Sequence, residues 1–278
     1  MFVFYPTLNT VYLSFFSFEG RTIGDFAGLS NYLEVFGRRG FLNVDRLLQG
    51  PPMGALVHNG LWIAIHLPLS LVLGLLLAVL LRDVRGGFVV KSIIFLGMVI
   101  PMIVGGMLLR FIYDSDAGIV NGALRMIGLG DMAKTFTAFP DTSLISLILG
   151  TVWIWTGFSM IVYSAGLEGI PAELYEAARI DGASRVRMFW HITIPMLRPA
   201  HVVVVTMTLL WIMKIFDIVY AATFGGPGGS TSVLAFLVYI DAFFKLPPDF
   251  GTASAIATLL TLMIFGFAAY MVRSMVKQ

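Results

Sequence analysis

The sequence predicts an all-α integral membrane protein with about six transmembrane helices, and three observations carry that expectation. Of 278 residues, 58% are hydrophobic and 12% charged, with a mean hydropathy of +0.89, whereas soluble domains average about a quarter charged residues. Several runs without Asp, Glu, Lys or Arg approach the roughly 20 residues that cross a hydrocarbon core of about 30 Å. Basic residues, finally, gather between alternate runs. This composition disfavours water-soluble enzymes, disordered tails and nucleic-acid binders, and a net charge of +2 is too small to favour a polyanionic partner. The absence of cysteine excludes disulfide scaffolds, thiolate zinc sites and cysteine nucleophiles.

Taken in order, residues 1–18 form an apolar run with no basic segment before it and no small-residue cleavage site, so they read as the outer part of a first helix rather than a signal peptide. Residues 60–81 carry only His66 as a possible charge, and residues 92–109 reach span length with their flanks. Residues 143–167 and 252–272 are the cleanest spans, whereas 199–224 holds Lys214 and Asp217 inside it. Residues 232–240 are apolar for only nine positions after a Gly/Pro-rich stretch, which predicts a short interfacial or re-entrant helix.

With the amino terminus inside, the inner segments 82–92, 168–198 and 273–278 hold nine Lys and Arg in 48 positions, against eight in the 99 positions of outer segments 19–57, 110–142 and 225–251. Basic residues favour the cytoplasmic side, which sets this orientation. No segment is long enough for a separate soluble domain, so residues 1–278 are expected to form one domain, with outer loop 19–57 packed over the bundle.

Neither catalytic nor metal-ligating residues emerge. The dense glycine run Gly225-Gly226-Pro227-Gly228-Gly229-Ser230-Thr231 lacks the lysine of a phosphate loop. His58, His66, His191 and His201 have no metal spacing and are expected to pack or lie at interfaces. Asp114-Ser115-Asp116-Ala117-Gly118 lacks the remaining acidic ligands of a calcium loop, and no nucleophile stands with a base.

Inner loop 168–198 is more informative. Pro171 suits the first position of a helix, Glu173 lies near its positive end, Gly182 can supply a left-handed stop, and Ser184 can cap the next helix. That predicts a helix of about ten residues, a sharp break, and a second helix running to Pro195 and Pro199. Leu174, Ala177 and Ala178 share one face, with Glu173 and Glu176 beside it. These properties fit either a docking surface or a helix lying in the headgroup layer.

The string Glu176-Ala177-Ala178-x-x-Asp181-Gly182-Ala183, followed by Phe189, Ile192, Pro195 and Pro199, resembles the Glu-Ala-Ala signature of permease subunits in binding-protein-dependent ATP-binding-cassette (ABC) importers. Gly28-Leu29-Ser30-Asn31-Tyr32, Gly118-Ile119-Val120-Asn121, and Phe216 to Tyr220 followed by Gly225-Gly226-Pro227 are similar to elements of that family's carbohydrate branch. Lacking a Gly-Ala-x-Lys-Gly tail, the chain resembles the maltose-type first permease. Family members generally begin with a basic segment before a full first helix, whereas this sequence starts near the middle of one, and its first outer loop is too small for the inserted domain of the enterobacterial maltose permease.

The resemblance implies a type I ABC importer permease fold in a prokaryotic plasma (inner) membrane, with a cytoplasmic coupling helix in loop 168–198. It implies an ATPase-docking role for Glu173, Glu176, Ala177, Ala178, Asp181 and Gly182. The implied partners are a second permease, two copies of a cytoplasmic ABC ATPase that carry the ATP and Mg, an extracytoplasmic solute-binding protein and a carbohydrate substrate. No cofactor is expected on this chain, and no enzymatic step.

For a substrate pathway, the fourth helix offers Thr151, Trp153, Trp155, Thr156 and Ser159, and the fifth region offers Lys214, Asp217 and Tyr220. Aromatic faces and hydroxyl-binding groups suit sugars, although aromatics also form interfacial belts. Lys214 and Asp217, three apart on one expected helix, can neutralise each other or line a pathway. In an alternative reading they would couple an ion gradient in a secondary transporter, a class that often shows inverted repeats. No internal repeat is found.

Overall fold

The computed structural model describes residues 4–276, with side chains through residue 273. The start of the first expected span, Met1 to Val3, and the terminal Lys277 and Gln278 lie outside the described residues. Thirteen helical stretches of six or more residues are distinguished here: α1 (Phe4–Leu13), α2 (Ser30–Gly37), α3 (Ala55–Leu80), α4 (Gly87–Val99), α5 (Met102–Ile112), α6 (Ile119–Met126) and α7 (Pro140–Glu168), followed by α8 (Ala172–Ile180), α9 (Arg185–Met196), α10 (Arg198–Met213), α11 (Asp217–Thr223), α12 (Leu234–Phe244) and α13 (Phe250–Val276). The all-α expectation holds apart from one hairpin in the first outer loop, where β1 (Phe16–Glu19) pairs antiparallel with β2 (Thr22–Phe26).

By length and composition α3, α7 and α13 can each cross a membrane unbroken, and α4 with α5 and α9 with α10 form two bent pairs. Residues 92–109 are therefore not one straight span: α4 and α5 meet at 103°. The cause is local, because Pro101 pushes Ile100 out of the helical region to ψ 126°. The α9–α10 bend of 65° sits at Leu197, between Pro195 and Pro199. Stretch 199–224 differs more. Its helix stops at Met213 and restarts at Asp217, so Lys214 and Asp217 do not share a helix face and form no salt bridge with each other among the described residues. Helical turns widened to π geometry at Trp62–His66 and Phe189–Thr193 stand two residues before Pro68 and Pro195. A proline has no N–H to give and excludes the carbonyl four residues back, and the wider turn absorbs both.

Three clusters make the interior. One gathers Trp62, Leu147, Ile154, Ile218 and Phe236. A second joins Val35 and Phe41 of the first outer loop to Leu234, Ala255 and Ile256, so that loop does pack over the bundle. A third, at the inner end, holds Ala78, Met160, Tyr163, Leu167 and Val204. The α3–α7 interface is tight because Gly74 lies against Ser159: a Cβ on Gly74 would collide with the Ser159 Cβ and stand 2.9 Å from Met160 N. Small residues that let backbones approach are the usual glue of membrane helices, since lipid offers no hydrophobic drive between them.

The outer loops are pinned by side chains from the motifs noted above. Asn31 Nδ2 donates to Ser14 O and Phe16 O, both at 2.9 Å. Asn121 Nδ2 donates to Asp114 O at 2.7 Å and Lys134 O at 2.9 Å, while its Oδ1 accepts from Lys134 N at 3.1 Å. An ion pair that sequence reading missed, Arg38 with Asp241, ties loop to bundle: Nη1–Oδ2 is 2.6 Å and Nη2–Oδ1 is 2.8 Å, with Asp241 fully buried. The Asp241 carboxylate, accepting both bonds, raises the Arg38 pKa above its usual value despite partial burial. Nearby Asp249 resists the upward push of its own burial: the Thr252 N–H and hydroxyl and the Lys245 ammonium hold it below its usual 3.8. The stabilisation from Asp249 is thus present above that value and is lost as the pH falls through its lowered folded value.

Two stability outcomes follow from this packing. Gly74→Val should cost about 1–3 kcal/mol through overpacking, read as a lower thermal unfolding midpoint in detergent; an unchanged midpoint would show that the α3–α7 contact is not close. Arg38→Ala should cost about 3 kcal/mol, near the lower end for uncovering a buried partner, because the Arg38 side chain is 31% exposed. The double variant Arg38→Ala with Asp241→Ala should recover part of that loss, and strictly additive effects would contradict a coupled pair.

Candidate functional site

At the inner end, α8 lies at the surface with no fully buried residue. Pro171 holds its entry at φ −56°, ψ 134°, and Glu173 lies in the first turn, where the helix dipole favours an acid. The helix ends in a left-handed stop at Gly182 with φ +77°, which a residue with a Cβ adopts only at a cost. Ala183 N bonds Ala178 O at 2.8 Å and Gly182 N bonds Arg179 O at 3.0 Å, the paired bonds of a Schellman ending. Ser184 then opens α9, its hydroxyl accepting from Arg187 N at 3.3 Å.

One side of α8 is fastened down and the other is free. Tyr175 shares a 2.9 Å hydrogen bond with the Thr193 hydroxyl on α9, lies under the Arg82 guanidinium at 5.3 Å, and packs on the inner core cluster. Opposite, Glu173, Leu174, Glu176, Ala177 and Asp181 are exposed, Ala178 is half-buried, and Ile180 is 87% exposed. Glu173, Glu176 and Asp181 enter no salt bridge among the described residues. The arrangement presents an apolar strip with carboxylates beside it, on a helix held at its back. Tyr175, Thr193, Arg82 and Ile180 were not anticipated; the alternation of Tyr175 with the Leu174–Ala177 face was the one available signal.

The pathway candidates separate into several environments. Trp155, Lys214 and Asp217 line one cavity of about 370 Å³ with Trp211 and Phe216. Trp155 is nearly buried: its Nε1 donates to Thr208 Oγ1 at 2.8 Å and its ring stacks on Trp211 at 4.7 Å and 23°. Trp153 is 49% exposed and does not line that cavity. Thr151 spends its hydroxyl on Leu147 O and Ile148 O of its own helix, both at 2.9 Å, Thr156 bonds Val152 O at 2.6 Å, and Ser159 is the residue pressed on Gly74. Tyr220 lines a different, outer cavity.

The break between α10 and α11 that creates the first cavity is served by neighbours. Asn59 Nδ2 reaches Ile212 O at 3.4 Å while its Oδ1 accepts from Leu234 N at 2.9 Å. His58 accepts from Met53 N through Nε2 at 3.0 Å, which leaves Nδ1–H to donate to Ser232 O at 2.8 Å. That is the packing role expected for His58. His66 lies in ring contact with Trp62 and Trp211, beside the same cavity.

The glycine run is closed on itself. Thr231 Oγ1 donates to Gly226 O at 3.0 Å and meets Thr223 Oγ1 at 2.7 Å, and Ser232 Oγ donates to Gly225 O at 3.2 Å. The remaining hydroxyl of the run, Ser230 Oγ, pairs with Ser143 Oγ of α7 at 2.7 Å, so the run is a folded connection with its hydroxyls committed and does not fit a phosphate cradle. Among the described residues no group of three or more His, Asp and Glu side chains is placed to hold a metal ion.

Residues 70–278 match the family model described as binding-protein-dependent transport system inner membrane component. The chain is 49% identical over 276 residues to a probable ABC transporter permease protein of Pyrococcus horikoshii, covering 98% of this chain and 92% of that protein. It is 30% identical over 243 residues to the trehalose/maltose transport system permease protein of Thermococcus litoralis, covering 87% and 77%. In fold it matches a chain of a crystal structure of a bacterial ABC transporter that imports alginate, with a TM-score of 0.75 at 24% identity over 99% of this chain and 90% of that one. An exposed helix bearing the Glu-Ala-Ala string at the inner end of a bundle with this fold agrees with those matches, and the chain belongs to the binding-protein-dependent inner membrane components, the permease subunits of ABC importers.

Proposed function

We propose that this chain, with a second and different permease, forms the pathway of an ATP-driven carbohydrate importer in the plasma membrane of a prokaryote. Two copies of a cytoplasmic ATPase, which would bind the ATP and Mg, dock on the coupling helices, and an extracytoplasmic binding protein delivers the solute. The observation that carries this reading is α8: a short helix stopped at Gly182, with unpaired Glu173, Glu176 and Asp181 on its free face and Tyr175 anchoring its back. Support for carbohydrate as cargo comes from relatives described as permeases for trehalose/maltose, α-glucosides and lactose.

Elementary mechanics connects the two ends. A push or pull on α8 passes through the Tyr175–Thr193 contact to α9, and through the bend at Leu197 to α10. The far end of α10 carries Trp211 and leads into Lys214 at the cavity wall. Ala177 and Ala178 let a partner's backbone come close, while Glu173, Glu176 and Asp181 fix its orientation by charge. In this reading Trp155 and Trp211 offer an aromatic wall to a sugar ring, and Lys214 and Asp217, unpaired with each other, offer a donor and an acceptor to its hydroxyls. The ion-coupled alternative draws no support from the family match or from the relatives.

Reconstitution tests the proposal. With the companion permease, ATPase and binding protein in proteoliposomes, uptake of an α-linked disaccharide should require ATP. Glu176→Lys reverses a docking charge and should lower uptake at least tenfold while the chain stays inserted and folded. Gly182→Pro should do the same, because a proline ring locks φ near −65° and cannot adopt +77°. Full uptake by this chain alone, or uptake that follows an ion gradient at constant ATP, would overturn the reading.

A further inference from the structure

The outer cavity is a chemically distinctive site that the coupling mechanism leaves unused. It measures about 400 Å³ and is lined by Arg110, Thr135, Thr137, Tyr220 and Phe224, among others. These residues come from the end of α5, the outer segment before α7, the second half of α11 and its connection, so the site is assembled from three separate parts of the chain.

Three observations mark it as a binding site. Thr137 lines the cavity and is only 7% exposed as a residue, and its hydroxyl makes no hydrogen bond among the described residues, which leaves it available to a molecule in the cavity. The neighbouring hydroxyls are committed: Thr135 accepts from Ser115 N at 3.1 Å, and Thr223 bonds Val219 O at 3.2 Å. Arg110 is exposed, enters no salt bridge among the described residues, and the cavity wall contains no carboxylate. Phe224, finally, is the one non-glycine residue with positive φ among the described residues, at 51°. Surrounding structure must over-determine such a conformation for it to persist, and here edge-on contacts do so: Phe236 at 5.4 Å and Phe244 at 5.1 Å. Tyr220 stands 5.4 Å from Phe224, which completes an aromatic wall facing a cation and a free hydroxyl.

We propose that this cavity is an outer binding subsite for a sugar ring, one that a carbohydrate occupies before it reaches the Trp155–Trp211 cavity. Tyr220 and Phe224 supply the apolar face, while Arg110 and Thr137 hydrogen-bond ring hydroxyls, Arg110 only as donor and Thr137 as either partner. Helix α11 forms the partition, since Asp217 and Ile218 line the inner cavity and Tyr220 to Thr223 line the outer one. The inference rests on the carbohydrate reading above and extends it to a second position.

Two measurements on the complete importer in proteoliposomes test it, with maltose and trehalose as probes. Thr137→Val and Arg110→Gln should each raise the KM for uptake about three- to tenfold, the effect of losing one or two hydrogen bonds, with kcat and the thermal midpoint little changed. The chain has no cysteine, so Thr137→Cys, or Ala138→Cys on the same wall should the first fail to fold, provides a single label site on this subunit. A membrane-impermeant thiol reagent added outside should label it, and the transported sugar should slow that labelling several-fold. If wild-type importer takes up sugar but both variants keep its KM, or the sugar gives no protection, the subsite is refuted while the transport reading stands. If the wild type takes up neither sugar with ATP, the carbohydrate reading fails and the subsite with it.

Discussion

A backbone N–H or C=O without a partner in hydrocarbon costs several kcal/mol, and the irregular parts of this chain are organised around that constraint. The chain opens a helix at Lys214 to Phe216, where it creates a cavity, and must satisfy the groups this frees. Part of the solution is a single residue, Asn59, whose amide spans from the last turn of α10 to the start of α12. Adjacent His58 does the same for the connection that follows the glycine run. With those two side chains in place α11 can stand as a separate two-turn helix between two cavities, the one at Trp155 and Trp211 and the one at Tyr220 and Phe224.

Broken helices become useful once their ends are held. The bends at Pro101 and Leu197 turn two would-be spans into levers. The second runs from the exposed helix α8 through α9 and the bend at Leu197 to the cavity wall that carries Trp211 and Lys214, so α8 and that wall are joined by a short series of packed helices. Against it, α3 and α7 make a stiff frame through the Gly74–Ser159 contact. Rigid packed elements with discrete bends suit switching between two arrangements better than a uniformly deformable body.

Much of this was legible in the sequence, for identifiable reasons. The helix, break and second helix of loop 168–198 were predicted almost to the residue, because Pro171, Gly182 and Ser184 act through local backbone geometry that needs no tertiary context. The motif asparagines were visible as motifs, but their work as staples, Asn31 to the first hairpin and Asn121 to the segment at Lys134, depends on groups up to 17 residues away. Of the two roles the sequence allowed Lys214 and Asp217, mutual pairing is not seen among the described residues, for the opposite reason: a hydropathy run does not reveal a helix break, and three-residue spacing brings side chains together only if the helix continues. Trp153 and Trp155, two apart, were grouped by composition, yet the helical turn places one at the surface and the other in the stack with Trp211.

The sequence by itself determined that the chain is a mostly helical membrane protein, and where helix α8 starts and stops. These follow from composition and from residues whose φ angles are restricted on their own. Tertiary structure alone decided what the scarce polar groups do. Arg38 found Asp241 across 203 positions, Thr137 and Arg110 came to line one cavity, and Lys214 and Asp217 were set at another without a salt bridge among the described residues. Each outcome depends on distances between segments far apart in the chain, and no local rule of spacing or propensity encodes those distances.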